Sequence, residues 1–352
     1  MKIVLATGGS GGHIFPALKT AEYLRNEGHV VHFAGALSCA QARLKQEGFS
    51  FTILDVQGLH LKNLPRFIKL MLNAISDSKK LLQNLKPDVA VGFGSYSSFP
   101  ILWAAKNLRI PVMLHEQNVI PGKANRLSSL FVKKIAVSFE ETRKAFPKHQ
   151  AVWTGCPCHS RRPAMSKTQL LGLFQLQPNL KTILILGGSQ GSHVLNEIFF
   201  ESVSKLKGFQ FIHMTGQTDE AVYRQKYAAL GVSHYVCAFL SNIEQAYAVS
   251  DIVVARAGAA TVSELAAFGL PSILVPYPYA RSHQSANARV LEKAGAAVII
   301  DQANLNSSTL SDAIHRLDAQ GLTQENIRYK VKDFFVNDPA AALAKAISDC
   351  AL

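Results

Sequence analysis

Charge is scarce in this 352-residue sequence: 17% of residues are Asp, Glu, Lys or Arg, against 48% that are hydrophobic. No low-complexity segment interrupts it, so there is apolar material for substantial cores. No apolar run reaches the roughly 18 residues that a membrane-spanning helix needs, so none is expected. Cysteine is rare. The five thiols (Cys39, Cys156, Cys158, Cys237, Cys350) are odd in number and scattered, which suits a reducing cytoplasm better than a disulfide framework. The one close pair, Cys156-Pro157-Cys158 with His159, has no two further ligands at zinc-like spacing, so structural thiols are expected there. The opening "MKIVLATGG" reaches its glycines too early for a signal peptide.

Acidic residues are the scarcer charge. Lys and Arg number 37 against 24 Asp and Glu, a formal net charge of +13. Residues 1–160 hold 20 of those bases and 9 of the acids, so nearly all of the excess lies in the first half. That asymmetry points to an anionic partner for this half: nucleic acid, anionic lipid or a phosphorylated substrate.

Two domains of roughly 150–180 residues fit the length. Strand-like apolar runs at 3–6, 30–34, 51–54, 89–92, 112–115 and 135–138 alternate with helical patterns. A second series follows at 183–186, 209–214, 235–237, 252–255, 272–276 and 297–300. Such alternation predicts an α/β fold of two doubly wound parallel sheets, facing each other across a cleft. The seam is expected in the polar, aperiodic stretch 156–167. Each series opens with nearly the same turn, "GGSGGH" at 8–13 and "GGSQGSH" at 187–193. Glycine tolerates the sharp strand-to-helix exit, and the helix start offers amides and partial positive charge to a phosphate. Neither turn completes G-x-G-x-x-G, Ile14 standing at the third glycine's place in the first, and neither carries a P-loop Lys-Ser/Thr. Singly, each could be a tight connection without a ligand. As a pair they suggest two phosphate-bearing ligands, one per domain.

The sequence resembles the MurG family of peptidoglycan glycosyltransferases along essentially its whole length. The resemblance rests on "TGGSGGHIFPAL" (7–18), "GFGSYSSFP" (92–100), "HEQNVIPGKAN" (115–125), "GGSQGS" (187–192), "RAGAATVSELAAFGLPSILVPYP" (256–278) and "HQSANA" (283–288). It implies two Rossmann-like domains in the GT-B arrangement. Residues 1–157 would bind the lipid-linked acceptor and 158–338 UDP-GlcNAc, with a helix in 339–352 packing back on the first domain. The implied reaction is inverting transfer of N-acetylglucosamine to undecaprenyl-diphosphate-linked N-acetylmuramoyl-pentapeptide, with a β-1,4 linkage. It would serve peptidoglycan synthesis, and through it cell shape and division. The implied setting is the cytoplasmic face of the inner membrane, with contacts to other cell-wall synthesis proteins.

On the donor side the resemblance implies Ser189 at the diphosphate and Glu264 on the ribose hydroxyls, a pure acceptor for them when ionised. A capping box from Thr261 to Glu264 is the other reading of that spacing. Ala259, Ala260, Thr261, Val262 and Ser263 would form the helix start, and Leu240 would frame the uracil. Gln284 and Asn287, three apart on one helical face, would read the sugar hydroxyls. Thr7, Gly8, Gly9 and Asn118 complete the donor set, while Ser10, Gly11, Gly12 and Tyr96 belong to the acceptor. Where the family often carries arginine this chain has His159, which lacks the permanent charge and five-donor fork; Arg161 or Arg162 could reach in instead. The general base is either His13, at the start of the first helix, or Glu116, at the end of an apolar strand. No Asp-x-Asp pair occurs, so no metal or other cofactor is expected to be required.

Residues 61–80 mix Leu64, Phe67, Ile68, Leu70, Met71 and Leu72 with Lys62, Arg66, Lys69, Lys79 and Lys80. Such a helix can lie on an anionic membrane surface, or can pack in a core with a solvated basic side. Three other classes are weighed. A UDP-GlcNAc 2-epimerase would share the nucleotide sugar but gives no reason for a basic amphipathic segment. A nucleic-acid-binding protein lacks a recognition module, so no nucleic-acid partner is expected. A nicotinamide-dependent oxidoreductase is opposed by the incomplete glycine pattern.

Overall fold

The computed structural model describes residues 1–56, 64–147, 150–188, 190–278 and 283–352, and of residues 64–67 the backbone alone. The chain forms two compact units, Met1–Cys158 with Val336–Leu352, and His159–Phe335.

The first unit is built on seven parallel strands: β1 (Lys2–Gly8), β2 (Val30–Ala36), β3 (Ser50–Ile53), β4 (Val89–Gly92), β5 (Val112–Glu116), β6 (Lys134–Val137) and β7 (Ala151–Trp153). Their order is β3-β2-β1-β4-β5-β6-β7. Helices cover both faces, so the central strands read as continuous apolar runs; Ile3, Val4 and Leu5 are all fully buried. One face carries α1 (Gly11–Asn26), the other α3 (Leu64–Leu85) and α4 (Ser98–Asn107). Two short helices, α2 (Gln41–Gln46) and α5 (Lys123–Ser128), complete the connections. The strand order reverses between β1 and β4, which opens a crevice at their carboxyl ends.

The core of this unit is closed by distant sequence. Helix α14 (Pro339–Ala351) buries Leu343, Ile347 and Cys350 against α1 and the sheet. Pro339 occupies its first turn, and the Asp338 carboxylate accepts from Ala341 N at 3.1 Å. At its other end Lys133 Nζ donates to Cys350 O at 3.0 Å, a cation at the negative helix terminus. Leu343→Ala is expected to cost about 2–5 kcal/mol of stability, because a fully buried leucine leaves a cavity. An unchanged denaturant midpoint for the first unit's transition would remove α14 from its core.

The second unit has six parallel strands: β8 (Lys181–Leu186), β9 (Phe209–Met214), β10 (His234–Cys237), β11 (Ile252–Ala255), β12 (Ser272–Leu274) and β13 (Ala297–Ile299). Their order is β10-β9-β8-β11-β12-β13, so this switch point lies between β8 and β11. The helices are α6 (Lys167–Leu173), α7 (His193–Ser202), α8 (Glu220–Leu230), α9 (Ile243–Val249), α10 (Ala259–Phe268), α11 (His283–Lys293), α12 (Ser307–Ala319) and α13 (Gln324–Val331). All twelve runs expected as strands are strands. The thirteenth, β7, is a three-residue edge strand too short to show any periodicity.

Candidate active site

Helix starts differ in how they are capped, and several, α5 and α9 among them, lack a side-chain cap. Helices α6, α12 and α13 carry complete capping boxes from Ser166, Asn306 and Thr323. Helices α1, α7 and α10, which follow the switch-point strands, have N-cap residues Ser10, Ser192 and Gly258 in extended backbone with no side-chain cap. Their first-turn amides are left to a ligand or to water.

In the first unit, Gly8 ends β1, Gly9 and Ser10 make the turn, and Gly11 and Gly12 open α1. Ser10 and Gly12 are exposed, as is Tyr96, in the turn after β4. Thr7 is wholly buried, its hydroxyl donates to Gly8 O, and its carbonyl accepts from Ser97 Oγ at 3.1 Å, so it shapes the turn. His13 is half-buried on the first turn of α1. Its Nδ1 lies 3.2 Å from Gln117 Oε1, and its ring packs against Gly94 so closely that a Cβ there would sit 3.0 Å from Cε1. Gly94 also has φ +84°, so the position suits glycine on both counts.

Glu116 is equally well placed at the end of β5 but is differently engaged. It is buried, Oε1 accepts from Asn118 N (2.8 Å) and Asn118 Nδ2 (3.3 Å), and Oε2 accepts from Gly122 N (3.0 Å) and Asn125 Nδ2 (2.8 Å). Both oxygens organise the loop that leads into α5. Asn118 belongs to the same cluster.

In the second unit, Ser189 lies outside the described residues. The turn around it is tight: Gly191, at φ +78°, approaches Thr215 O so nearly that a Cβ would stand 2.1 Å away. Helix α10 begins with Ala259, Ala260 and Thr261, whose amides precede the first intrahelical bond, Val262 N to Gly258 O at 2.9 Å. Val262 and Ser263 follow in α10 and are buried, Ser263 Oγ with no hydrogen-bond partner among the described residues. The capping-box reading of Thr261 and Glu264 is set aside, because Gly258 is the N-cap. Glu264 is buried, and Oε2 accepts from Tyr247 Oη at 2.9 Å while Oε1 lies 3.4 Å from His159 N. Tyr247 Oη and the His159 amide hold the carboxylate, an acceptor-only group of the kind that ribose hydroxyls require.

His159 joins this cluster through its backbone and through Nδ1, 2.9 Å from Glu244 Oε2 on the first turn of α9. Arg161 is exposed nearby in sequence. Arg162 is turned elsewhere: it donates to Phe268 O at the far end of α10 and to Gln324 Oε1. Leu240 is half-buried in the loop after β10. Gln284 Oε1 accepts from Ala257 N (3.2 Å) and Tyr277 N (2.9 Å), so the donors of its amide are what it can turn to a sugar. Asn287 is wholly buried, and its Nδ2 donates to Ala257 O at 3.2 Å, bracing the turn before α10.

Two features escaped the sequence reading. Arg256 is buried, and burial lowers its pKa from the ordinary arginine value. It ties three loops together through Ser192 Oγ (2.8 Å), Val275 O (3.1 Å) and Gln302 Oε1 (2.7 Å). His193, the residue that closes "GGSQGSH", has Nδ1 3.0 Å from Asp219 Oδ2, which also accepts from Asn196 Nδ2 at 2.8 Å. Burial works to raise the Asp219 carboxyl, but those two hydrogen bonds and the nearby imidazoles outweigh it, and the net shift is downward. The dyad places an exposed imidazole on the first turn of α7.

A cavity of about 540 Å³ lies at the other ends of the strands, between Lys181, Asp251 and Pro271. Four of its charges pair internally, Lys167 with Asp251 at 3.0 Å and Lys181 with Asp318 at 2.5 Å. Ligands of doubly wound sheets bind at carboxyl ends, so this is not the nucleotide site.

Comparison with known proteins places this geometry. The glycosyltransferase family 28 N-terminal domain matches residues 3–137, and the glycosyltransferase family 28 C-terminal domain matches 182–342. A UDP-N-acetylglucosamine--N-acetylmuramyl-(pentapeptide) pyrophosphoryl-undecaprenol N-acetylglucosamine transferase of Halothermothrix orenii is 38% identical over 346 residues, 91% of each chain. The enzyme of the same name from Bacillus subtilis is 31% identical over 99% of each chain. The crystal structure of Acinetobacter baumannii MurG aligns with a TM-score of 0.75 at 27% identity, covering 99% of both chains. A UDP-GlcNAc 2-epimerase from Neisseria meningitidis bound to UDP-GlcNAc reaches 0.71 at 15% identity, over 99% of this chain and 100% of that one, and shares the fold alone. With two uncapped switch-point turns and near-full-length relatives of one activity, the chain belongs to glycosyltransferase family 28 and, within it, to the MurG family of GT-B transferases.

Proposed function

We infer that this chain moves N-acetylglucosamine from UDP-GlcNAc to undecaprenyl-diphosphate-linked N-acetylmuramoyl-pentapeptide, with inversion, to form a β-1,4 linkage. The observation that carries this reading is the pairing of Glu264 with the uncapped starts of α7 and α10 at one switch point. A carboxylate for the ribose and amides for the diphosphate are what a UDP-sugar needs. Relatives at 31–38% identity carry the transferase name, whereas the epimerase above is 15% identical. In the step itself, His13 takes the proton of the acceptor hydroxyl as its oxygen attacks the anomeric carbon. The carbon–oxygen bond to the diphosphate breaks, and UDP leaves with the electron pair, its charge met by helix-start amides and His193. Radiolabelled GlcNAc is expected to appear on a short-chain lipid-linked acceptor analogue. UDP-ManNAc formed from UDP-GlcNAc alone, with no transfer, would favour the epimerase.

The leaving diphosphate is stabilised without a metal in this account. Helix-start amides and the exposed imidazole of His193 are the groups proposed to meet its charge, so transfer is expected to persist in excess EDTA. Complete loss, restored by magnesium or manganese, would sink this point.

The acceptor's lipid tail calls for peripheral attachment at the cytoplasmic leaflet. Residues 61–63 of the amphipathic segment lie outside the described residues, as do the side chains of 64–67. In the rest of α3, Ile68 and Leu72 are exposed beside exposed Lys69, whereas Ala74 and Ser78 face the protein. Neighbouring α4 and α5 add exposed Trp103 and Leu127, and Leu130 just beyond is 81% exposed. Apolar side chains rimmed by cations suit an anionic headgroup layer. An Ile68→Ser, Leu72→Ser variant is expected to lose about tenfold or more of its partition onto anionic vesicles, measured by flotation. Unchanged flotation would remove α3 from the contact.

A further inference from the structure

Three successive residues at the carboxyl end of β5, His115, Glu116 and Gln117, are all buried, and only the middle one is absorbed by the loop cluster described above. Gln117 Nε2 lies 3.1 Å from Phe93 O, 3.1 Å from His115 O and 3.1 Å from His115 Nδ1. Two of those three neighbours are carbonyl oxygens, which only accept. The amide must therefore put its nitrogen there, because the flipped orientation would press Oε1 against both carbonyls. That leaves Oε1 facing His13 Nδ1 at 3.2 Å. An amide oxygen also only accepts, so the hydrogen of that bond belongs to Nδ1.

The far end of the chain of bonds is fixed in the same way. His115 Nε2 is 3.0 Å from Gly155 O, another pure acceptor, so the hydrogen of the ring sits on Nε2. His115 is fully buried, and burial lowers its pKa to about 4 against the smaller upward pull of the Gly155 carbonyl. The ring is therefore neutral near pH 7, and its Nδ1 lone pair is one of three acceptors that share the two hydrogens of Gln117 Nε2. All three neighbours of that nitrogen are acceptors, so the amide orientation, and with it Oε1 toward His13, is fixed.

We propose that Gln117, oriented by His115 and by the carbonyls of Phe93 and His115, holds His13 in the Nδ1–H tautomer, so that Nε2 carries the lone pair that receives the acceptor's proton. Gln117 and His115 are positioning residues, and they touch no substrate. The proposal rests on His13 as the base. The proton moves from the acceptor hydroxyl to Nε2, while Nδ1–H stays on the Gln117 oxygen throughout. A neutral histidine free to rotate would divide its population between two tautomers, and only one of them offers Nε2 as acceptor.

The test is ¹⁵N spectroscopy of the histidine-labelled full chain, with the His13 ring assigned by its disappearance in His13→Asn. At a pH where the ring is neutral, His13 is expected to show a protonated Nδ1 and a bare, pyridine-type Nε2. His115 is expected to show the reverse. In Gln117→Met the His13 signals should move toward a tautomeric mixture, with kcat down about tenfold and KM for both substrates within about twofold. A proton on Nε2 of His13 in the unsubstituted protein overturns the proposal without any variant having to fold. So does a Gln117→Met protein with the same His13 spectrum and the same kcat. The expected tautomer together with a His13→Ala enzyme of normal kcat would overturn the catalytic half, by removing His13 as the base, and would leave the hydrogen-bond chain in place.

Discussion

Replacing His13 with alanine is expected to lower kcat by about 10²–10⁴-fold, the range that a positioned general base contributes. The KM for UDP-GlcNAc should stay within about twofold, because His13 directly follows Ser10, Gly11 and Gly12, the residues assigned to the acceptor. Glu116→Gln is the control that separates the two candidate bases. Glu116 accepts from Asn118 N, Asn118 Nδ2, Gly122 N and Asn125 Nδ2, so an amide there must set a donor against donors. That variant should lose thermal stability along with activity, whereas His13→Ala should melt normally. Single-turnover rates with both substrates saturating, read beside melting curves, make the check. A His13→Ala enzyme with near-normal kcat, or a Glu116→Gln enzyme of full stability and no activity, would transfer the role to Glu116.

The second large effect falls on the donor. Glu264→Gln keeps the volume and one acceptor, so Tyr247 Oη can still be served. It removes the charge and turns an amide nitrogen toward His159 N or the ribose hydroxyls. Hydrogen bonds to a charged group contribute about 1.5–3 kcal/mol, so the KM for UDP-GlcNAc should rise by about 10- to 100-fold. The effect on kcat should be smaller, because the ribose is remote from the reacting carbon. Calorimetric titration with UDP alone should report a comparable loss of affinity. Unaltered affinity in that titration would take Glu264 out of the nucleotide site.

What could be read from the sequence was whatever the chain encodes locally. Continuous apolar runs located twelve strands, since strands buried on both faces have no polar alternation to blur them. The doubled glycine turn located both switch points, because a tight exit from a strand needs glycine wherever it occurs. Burial and side-chain partners could not be read locally. Asn287 shares a helical face with Gln284, but it is wholly buried and bonds the turn before α10. Thr261 and Glu264 have capping-box spacing, yet the helix begins at Ala259, and the carboxylate accepts from Tyr247 instead. Other partnerships join residues far apart in sequence: His193 with Asp219, 26 residues on, and His115 with Gly155, 40 residues on. No local pattern marks such pairs, since the fold alone brings them together.

Helix α14 has a consequence for biogenesis. The first unit is translated first, but its core lacks Leu343, Ile347 and Cys350 until the last turn of α14 has left the ribosome. Domains usually fold in the order they emerge. Here the second unit, continuous from His159 to Phe335, can finish before the first. Meanwhile the apolar side of α1 and its strands waits uncovered, a hydrophobic surface for a nascent-chain chaperone to shield during synthesis.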